Sequence, residues 1–357
     1  MEENNRLTKV MPIVKQYALE PHFVEDFGNI QKIYSNKGVF ALKKNAPKQG
    51  VEFIRHVQTL FQKGYNRIVP IYPTVDGRYA VLHERDIYYL MPWMPNEEKE
   101  NRFARHQQLL RELARLHTLS AREIKVGKDE RKEHYENTIK EWEKEDEFLE
   151  GFIEACEKRE YMSPYEQSFV FYYHDVKQAL KYSNNKLKAW YEKSKDNEKA
   201  RTVIVHGKIS TEHFLYDERG YGYFINFEKA KQGSPIHDLL PFLSRTLKTF
   251  PKRSEECIEW LYMYLNYFPF KEDEFLLFLS YFAHPGAVIR SAEKYFKGQK
   301  RLSERKAVHH LHRQYWLLKN TEYIIMRIEE IENQKKQAQL AEAQAQAEAQ
   351  KGAQSSS

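Results

Sequence analysis

The sequence predicts an α+β fold: a small, strand-rich N-terminal part followed by a larger helical part. Three observations predict it. Between residues 30 and 94, short β-prone runs alternate with turn signals. From residue 103 onward, apolar residues recur mainly at helical spacing. At 203–228 a strand–loop–strand unit interrupts the helices: Val203-Ile204-Val205, then Phe214 to Tyr216, then Tyr223 to Phe227 beyond the turn Asp217-Glu218-Arg219-Gly220.

Composition sets the outer bounds. The chain has 357 residues, enough for two lobes. With 30% charged and 41% hydrophobic residues it is a soluble globular composition, and no apolar run approaches a membrane span or a signal peptide. The net charge of +6 permits an anionic partner without demanding nucleic acid. Two cysteines, Cys156 and Cys257, argue against a disulfide framework and fit a reducing compartment.

In chain order, Val10 to Leu19 is a short amphipathic stretch, followed by a loop. Ile30–Tyr34 and Gly38–Lys44 read as strands joined by Ser35-Asn36-Lys37-Gly38. Val51, Ile54, Val57, Leu60 and Phe61 place a helix over 51–63. Ile68–Thr74 and Arg78–His83 flank Asp76-Gly77, a hairpin signal, and Ile87–Met94 is a further strand. Phe103–Leu119 is helical. Residues 121–160 are rich in glutamate and lysine and read as a solvated helical insertion. Tyr161–Tyr173 and Val176–Tyr191 are aromatic helices, and more helices are expected at 237–250, 253–268, 271–284 and 286–298. Between Pro285 and Asn320, nine Lys or Arg face two acidic residues, beside His309, His310 and His312. A solvated helix face accounts for such a run; docking on an acidic partner is its functional alternative. A last helix through Ile331 gives way to an Ala/Gln/Glu-rich tail over 334–357, read as a frayed helix ending in a disordered Ser segment.

The interrupting unit carries the chemistry. His206-Gly207-Lys208, with His213 five residues on, then Ile225-Asn226-Phe227-Glu228, then Ser234-Pro235-Ile236-His237-Asp238-Leu239, resembles the catalytic frame of the aminoglycoside phosphotransferase and choline kinase superfamily. That frame reads His-Gly-Asp-x-x-x-x-Asn, Ile-Asp-Phe-Glu/Asp and Pro-x-x-Asp-Leu. The resemblance implies a bilobal protein-kinase-like fold, with an N-lobe over 1–94, a helical C-lobe over 95–333 that holds the degenerate loop 205–228, and a tail over 334–357. It also implies that Lys208, His213 and Asn226 replace the catalytic Asp, the Asn and the metal-binding Asp, while Glu228 survives as the residual carboxylate. His206 and Asp238 keep structural roles, Asp238 bracing the loop.

These replacements oppose phosphoryl transfer. A lysine near its ordinary pKa of about 10.4 is already protonated and cannot act as a base. Magnesium prefers anionic oxygens, which a neutral amide and an imidazole do not supply. Asp→Lys and Asp→Asn together raise the local charge by three units, so such a cleft repels a divalent cation and favours a directly held phosphate; a solvated loop lysine is the plain alternative for Lys208. Magnesium is therefore not expected, and ATP is a cofactor only if it binds without it.

The N-terminal part supplies the remaining implied positions. Phe40-Ala41-Leu42-Lys43 places Lys43 where the superfamily keeps its nucleotide lysine, and Glu52 is the only acidic residue between Lys43 and Asp76 to pair with it. A solvent-facing glutamate at a helix start is the competing reading of Glu52. Leu90-Met91-Pro92-Trp93-Met94 occupies the hinge, where backbone groups of Met91 and Trp93 would face an adenine. Leu113-Ala114-Arg115-Leu116-His117 resembles a superfamily helix segment, with His117 read as a packing histidine. Gly38-Val39-Phe40-Ala41-Leu42-Lys43, Tyr88-Tyr89-Leu90-Met91-Pro92-Trp93, the altered His-Gly-Lys loop and His284-Pro285-Gly286 together are similar to the CotS-type spore coat protein family, YsxE-like branch. That resemblance implies a pseudokinase made in the mother-cell cytoplasm and carried to the endospore coat as a structural or assembly component. Other spore coat proteins are its implied partners, with no nucleic acid and no membrane insertion. A nucleotide- or phosphometabolite-binding regulatory pseudokinase and an atypical small-molecule phosphotransferase are the alternatives.

Overall fold

A computed structural model describes residues 2–46, 50–96, 102–248, 250–298 and 303–354. Contacts divide the chain into two units, one of 1–124, 199–242 and 263–269, the other of 125–198, 243–262 and 270–357.

The first unit opens with helix α1 (Glu2–Val14) and a 3-10 turn, Lys15–Tyr17. Strands β1 (Pro21–Asp26), β2 (Ile30–Ser35) and β3 (Gly38–Asn45) follow, then α2 (Glu52–Gln62), β4 (Val81–His83) and β5 (Asp86–Pro92). The five strands pair antiparallel in the order β1-β2-β3-β5-β4. Burial of Val10, Ile13, Val14 and Tyr17 of the N-terminal stretch against Val24, Ile33, Leu42 and Leu90 forms one core. The stretch read as a loop before Ile30 thus contains β1. Helix α2 buries Phe53, Ile54, Val57 and Leu60, the 3-4 spacing of its apolar positions.

One expectation is corrected here. Residues 68–74 and 78–83 do not form a hairpin about Asp76-Gly77. Thr74 and Arg78 close a small turn, while Ile68 bridges Phe224 and Tyr72 bridges Leu90. The hairpin turn lies instead at Glu84-Arg85, between β4 and β5, with Glu84 at φ 54°. Asp-Gly marks a tight turn; what the flanking runs pair with is decided by tertiary partners.

Helix α3 (Arg102–Ser120) and β6 (Arg122–Lys125) come next in the chain, then α4 (Lys128–Glu157) and α5 (Pro164–Ser194). Strand β7 (Lys199–Val205), a 3-10 turn at Thr211–His213, β8 (Phe214–Tyr216), β9 (Gly222–Phe224), a 3-10 turn at Phe227–Lys229 and β10 (Lys231–Gly233) build the interrupting unit. β7 lies between β10 and β6, and β8 pairs with β9. Helices α6 (Ile236–Leu247), α7 (Glu255–Tyr267), α8 (Glu272–Ala283), α9 (Gly286–Phe296) and α10 (Glu304–Gln354) complete the chain.

The second unit has its own core, in which Trp142, Leu149, Phe152 and Cys156 of α4 meet Tyr165, Phe169, Val176, Leu180, Leu187 and Trp190 of α5, with Ile289 and Leu311 from α9 and α10. α4 is therefore not a solvated insertion. Its charged majority hides a buried stripe that also takes in Arg131 and Thr138, at spacings of seven, four, seven, three and four. The two aromatic helices expected at 161–191 are one, α5, started by a Ser163/Glu166 capping box with Pro164 at its first position. α10 carries the tail as helix to Gln354, and the expected Ser segment, 355–357, lies outside the described residues. Both cysteines are buried and free, with burial pushing the Cys156 thiol up to about 11 and Cys257 up to about 12. No helix among the described residues is long and apolar enough to cross a membrane.

Candidate functional site

Seven of the residues singled out in the sequence, Lys43, His117, His206, His213, Asn226, Glu228 and Asp238, fall into two linked groups within the first unit. The first is a brace under the His206 loop. Asp238, in the first turn of α6, accepts from the backbone N–H of His206 through Oδ2 and of Gly207 through Oδ1, both at 2.7 Å. His117 Nε2 lies 3.2 Å from the same Oδ2, and its Nδ1 is 2.6 Å from the Tyr264 hydroxyl. Burial alone pushes the Asp238 carboxyl up, but the His117 hydrogen bond and the His206 amide hold it below the ordinary range. Gly207 sits at φ +79°, and a Cβ there would stand 2.4 Å from the Lys229 carbonyl oxygen, so glycine is required.

His206 is fully buried and its ring is wired at both nitrogens. Nε2 lies 2.7 Å from the Ile225 carbonyl, and Nδ1 accepts from the Lys208 N–H at 3.2 Å. This network assigns the neutral tautomer with the proton on Nε2. Burial lowers its pKa from 6.5, in keeping with that neutral form. His213 Nδ1 lies 2.7 Å from the Lys208 carbonyl and donates to it. His213 thereby closes the loop, while burial lowers its pKa too.

The second group surrounds Lys43. Lys43 is buried, at 9% exposure for the whole residue, and its ammonium donates to Asn226 Oδ1 and to Glu228 Oε1. The Tyr89 hydroxyl and the Asn45 amide (3.4 Å) converge on the same Glu228 oxygen. The strand register explains half of this: Lys43 stands opposite Tyr89, and Asn45 is two residues along the same face of β3. The left-handed Asn226 (φ 67°, ψ 49°) starts the 3-10 turn that turns Glu228 back toward the sheet. Burial lowers the Lys43 pKa despite its partner, and the nearby Lys208 charge adds to that; burial pushes Glu228 up, but the Lys43 ammonium more than offsets it. Tyr89 is raised by burial and by the Glu228 charge.

The structure thus brings Lys43, Asn226 and Glu228 together, with His206, His213 and Asp238 in the adjoining brace. Lys208 is exposed. Glu52 is not the partner of Lys43: it is exposed in the first turn of α2, and the carboxylate that meets Lys43 is Glu228. At the hinge, Met91 is buried opposite Ala41, and the Trp93 N–H already donates to the Val39 carbonyl at 3.1 Å, so that donor serves the sheet. Asp217 is occupied in its own turn, accepting from the N–H groups of Arg219 and Tyr221. Tyr89, Asn45 and Tyr264 were not anticipated. Only Tyr89 had a sequence signal, its place opposite Lys43 once the strands are registered.

The donor set does not fit magnesium. Its one carboxylate, Glu228, is neutralised by Lys43; the Asn226 oxygen already accepts from Lys43; and His213 spends Nδ1 on the loop. Among the described residues no group of three or more His, Cys, Asp or Glu side chains converges on a metal position. For a nucleotide phosphate, two of the three Lys43 protons are committed, and Lys208 is an exposed nearby cation that, among the described residues, has no carboxylate partner.

The profile of the phosphotransferase enzyme family matches residues 27–268. No curated protein matches the sequence. Among solved structures, the chain is similar to an aminoglycoside phosphotransferase from Alicyclobacillus acidocaldarius, at 14% identity and TM-score 0.68, with 90% of this chain and 96% of that one covered. A spectinomycin phosphotransferase solved with ADP and spectinomycin aligns at 12% identity and TM-score 0.52, covering 90% and 99%. These likenesses establish the kinase-like fold, a β-sheet N-terminal region with a helical C-terminal part.

Proposed function

The chain belongs to the phosphotransferase enzyme family, and from that premise we propose that it is a pseudokinase, a phosphotransferase fold used for structure rather than for phosphoryl transfer. The observation that carries this reading is the clamp on Lys43. A lysine that would hold nucleotide phosphates is buried and tied to an internal amide and carboxylate, and the position that would bear the base carries Lys208. The base position holds a lysine, and Glu228, the carboxylate of the Lys43 group, is spent on an ion pair. The likeness of its N-terminal strands, hinge run and His-Gly-Lys loop to the CotS-type spore coat proteins, YsxE-like branch, supports a role as a structural or assembly component of the endospore coat. In that role it is made in the mother-cell cytoplasm and meets other coat proteins.

Thermal unfolding with ATP or GTP, with and without Mg²⁺ or Mn²⁺, tests the first part. A ligand at about 100 times its Kd would add about 2.7 kcal/mol. The expected result is no metal-dependent stabilisation; a shift that requires the metal overturns the pseudokinase. The exposed Lys208 favours one second reading, a regulatory pseudokinase that holds a nucleotide or phosphometabolite directly. That reading expects a metal-independent shift that disappears in Lys208→Ala. A fluorescent fusion followed through sporulation tests the coat role: signal gathering at the forespore surface supports it, and uniform mother-cell signal rejects it.

A further inference from the structure

A cavity of about 360 Å³ opens in the first unit and shares no lining residue with the Lys43 cluster. α3 contributes Gln108, Arg111, Glu112 and Arg115, spaced three, one and three residues apart on one helix face. Arg67 comes from the loop after α2, Tyr221 from the β8–β9 turn and Tyr267 from the end of α7. The walls are fixed by the backbone. The Arg67 carbonyl accepts from the Phe224 N–H at 2.9 Å, and Gln108 Nε2 donates to the Gly220 carbonyl at 3.2 Å. The Arg67 guanidinium is aimed by Tyr223, whose hydroxyl is 3.2 Å from Nη1, and by the Tyr221 ring, 4.2 Å from its carbon.

Three arginines face one glutamate, so the lining carries two net positive charges. Glu112 is buried and takes up Arg115 through both oxygens at 3.1 Å. Among the described residues Arg67 and Arg111 have no carboxylate partner. The Arg111 fork, with the Arg67 donors not spent on Tyr223, matches a dianion, the charge of a phosphate monoester near neutral pH. The cavity asks for more than the anion. Tyr221 and Tyr267, 47% and 48% exposed, offer ring faces at the rim.

We propose that this cavity binds a small phosphate monoester: the phosphate on Arg67 and Arg111, and the organic body against the tyrosines. The proposal is independent of the fate of the Lys43 site.

Isothermal titration calorimetry with glucose 6-phosphate, inorganic phosphate, gluconate and glucose tests it. The expected order is glucose 6-phosphate tightest, inorganic phosphate weaker, and gluconate weaker than glucose 6-phosphate by at least about tenfold. Arg111→Gln, an exposed mid-helix change with little reach into folding, is expected to weaken glucose 6-phosphate by at least about tenfold, as is Arg67→Gln. Lys208→Ala is expected to leave that affinity unchanged, which separates this cavity from the kinase-type cleft. The proposal is overturned by any of four results: no saturable heat at millimolar ligand, gluconate binding as tightly as glucose 6-phosphate, indifference to Arg111→Gln, or loss of binding in Lys208→Ala.

Discussion

Removing the charge of Glu228 is the most direct probe of the Lys43 clamp. The two side chains are only 11% and 8% exposed, so the pair is screened little by solvent. Breaking a buried pair by deleting one partner costs about 3–5 kcal/mol, because the other charge is left without compensation. Glu228→Gln belongs at the low end, about 3 kcal/mol, since Asn226 still accepts from Lys43 and the lysine can escape by losing its proton. That escape has a signature. Burial already lowers the Lys43 pKa, so in the variant the unfolded chain binds a proton that the folded chain does not. Variant stability therefore rises as pH climbs through the folded value toward the ordinary 10.5. Urea unfolding of the wild type, Lys43→Met, Glu228→Gln and the double variant gives the coupling energy, expected to be about 2 kcal/mol or more. A loss below about 1 kcal/mol in Glu228→Gln, as for an exposed pair, refutes the clamp as a buried ion pair.

Three further outcomes follow. Burial lowers the pKa of His206, His213 and His237 from 6.5, so the stability they contribute is complete above that value and falls as pH drops below it; denaturation midpoints between pH 7 and 5 are expected to decline, less steeply in His237→Gln. Glu228 and Asp238, lowered from 4.5 and 3.8, add a second loss as pH falls through their folded values. Gly207→Ala forces a Cβ to within 2.4 Å of the Lys229 carbonyl at φ +79° and is expected to cost at least about 2 kcal/mol, read by urea unfolding, whereas Gly220→Ala, with open space around it, costs less. On the pseudokinase reading, the combined substitution Lys208→Asp, His213→Asn and Asn226→Asp is expected to confer metal-dependent nucleotide stabilisation in a thermal melt; no stabilisation would point to the hinge, where the Trp93 N–H is held by Val39.

Much of the fold was legible because its signals are local. The strands at 30–45 and 87–92, the helix over 52–62 and the His206 loop follow from alternation, helical period and turn residues. What was not legible depends on distant partners. The run 68–74 is β-prone, yet its bridges go to Phe224 and Leu90 rather than across Asp76-Gly77. α4 looked solvated because average composition drowned a stripe in which Trp142, Leu149, Phe152 and Cys156 recur at helical spacing; reading position by position would have found it. At the site, the resemblance to the phosphotransferase frame implied that Lys43, Asn226, Glu228 and Asp238 share one neighbourhood. For Lys43, proximity along the chain pointed to Glu52 and not to Glu228, because sequence separation carries no information about which carboxylate the fold turns inward.

That choice has an electrostatic cause. A buried ammonium needs one counter-charge within hydrogen-bond reach. Asn226 accepts from Lys43 but brings no charge, which leaves Glu228 to supply it, with Tyr89 and Asn45 holding the carboxylate in place. The neutral residue at 226 and the inward Glu228 are then parts of one arrangement, and they should respond together. With Asn226→Asp, a second carboxylate reaches the same ammonium, and the two acids compete for it. The coupling between positions 43 and 228 should fall by at least about 1 kcal/mol in that background, and one carboxylate should titrate higher, since like charges side by side disfavour joint ionisation. The double-mutant cycle repeated in Asn226→Asp measures the first, and stability against pH between 4 and 7 reads the second. An unchanged coupling would mean that Glu228 holds Lys43 for reasons of packing alone, and the link between the neutral residue at 226 and the paired lysine would have to be given up.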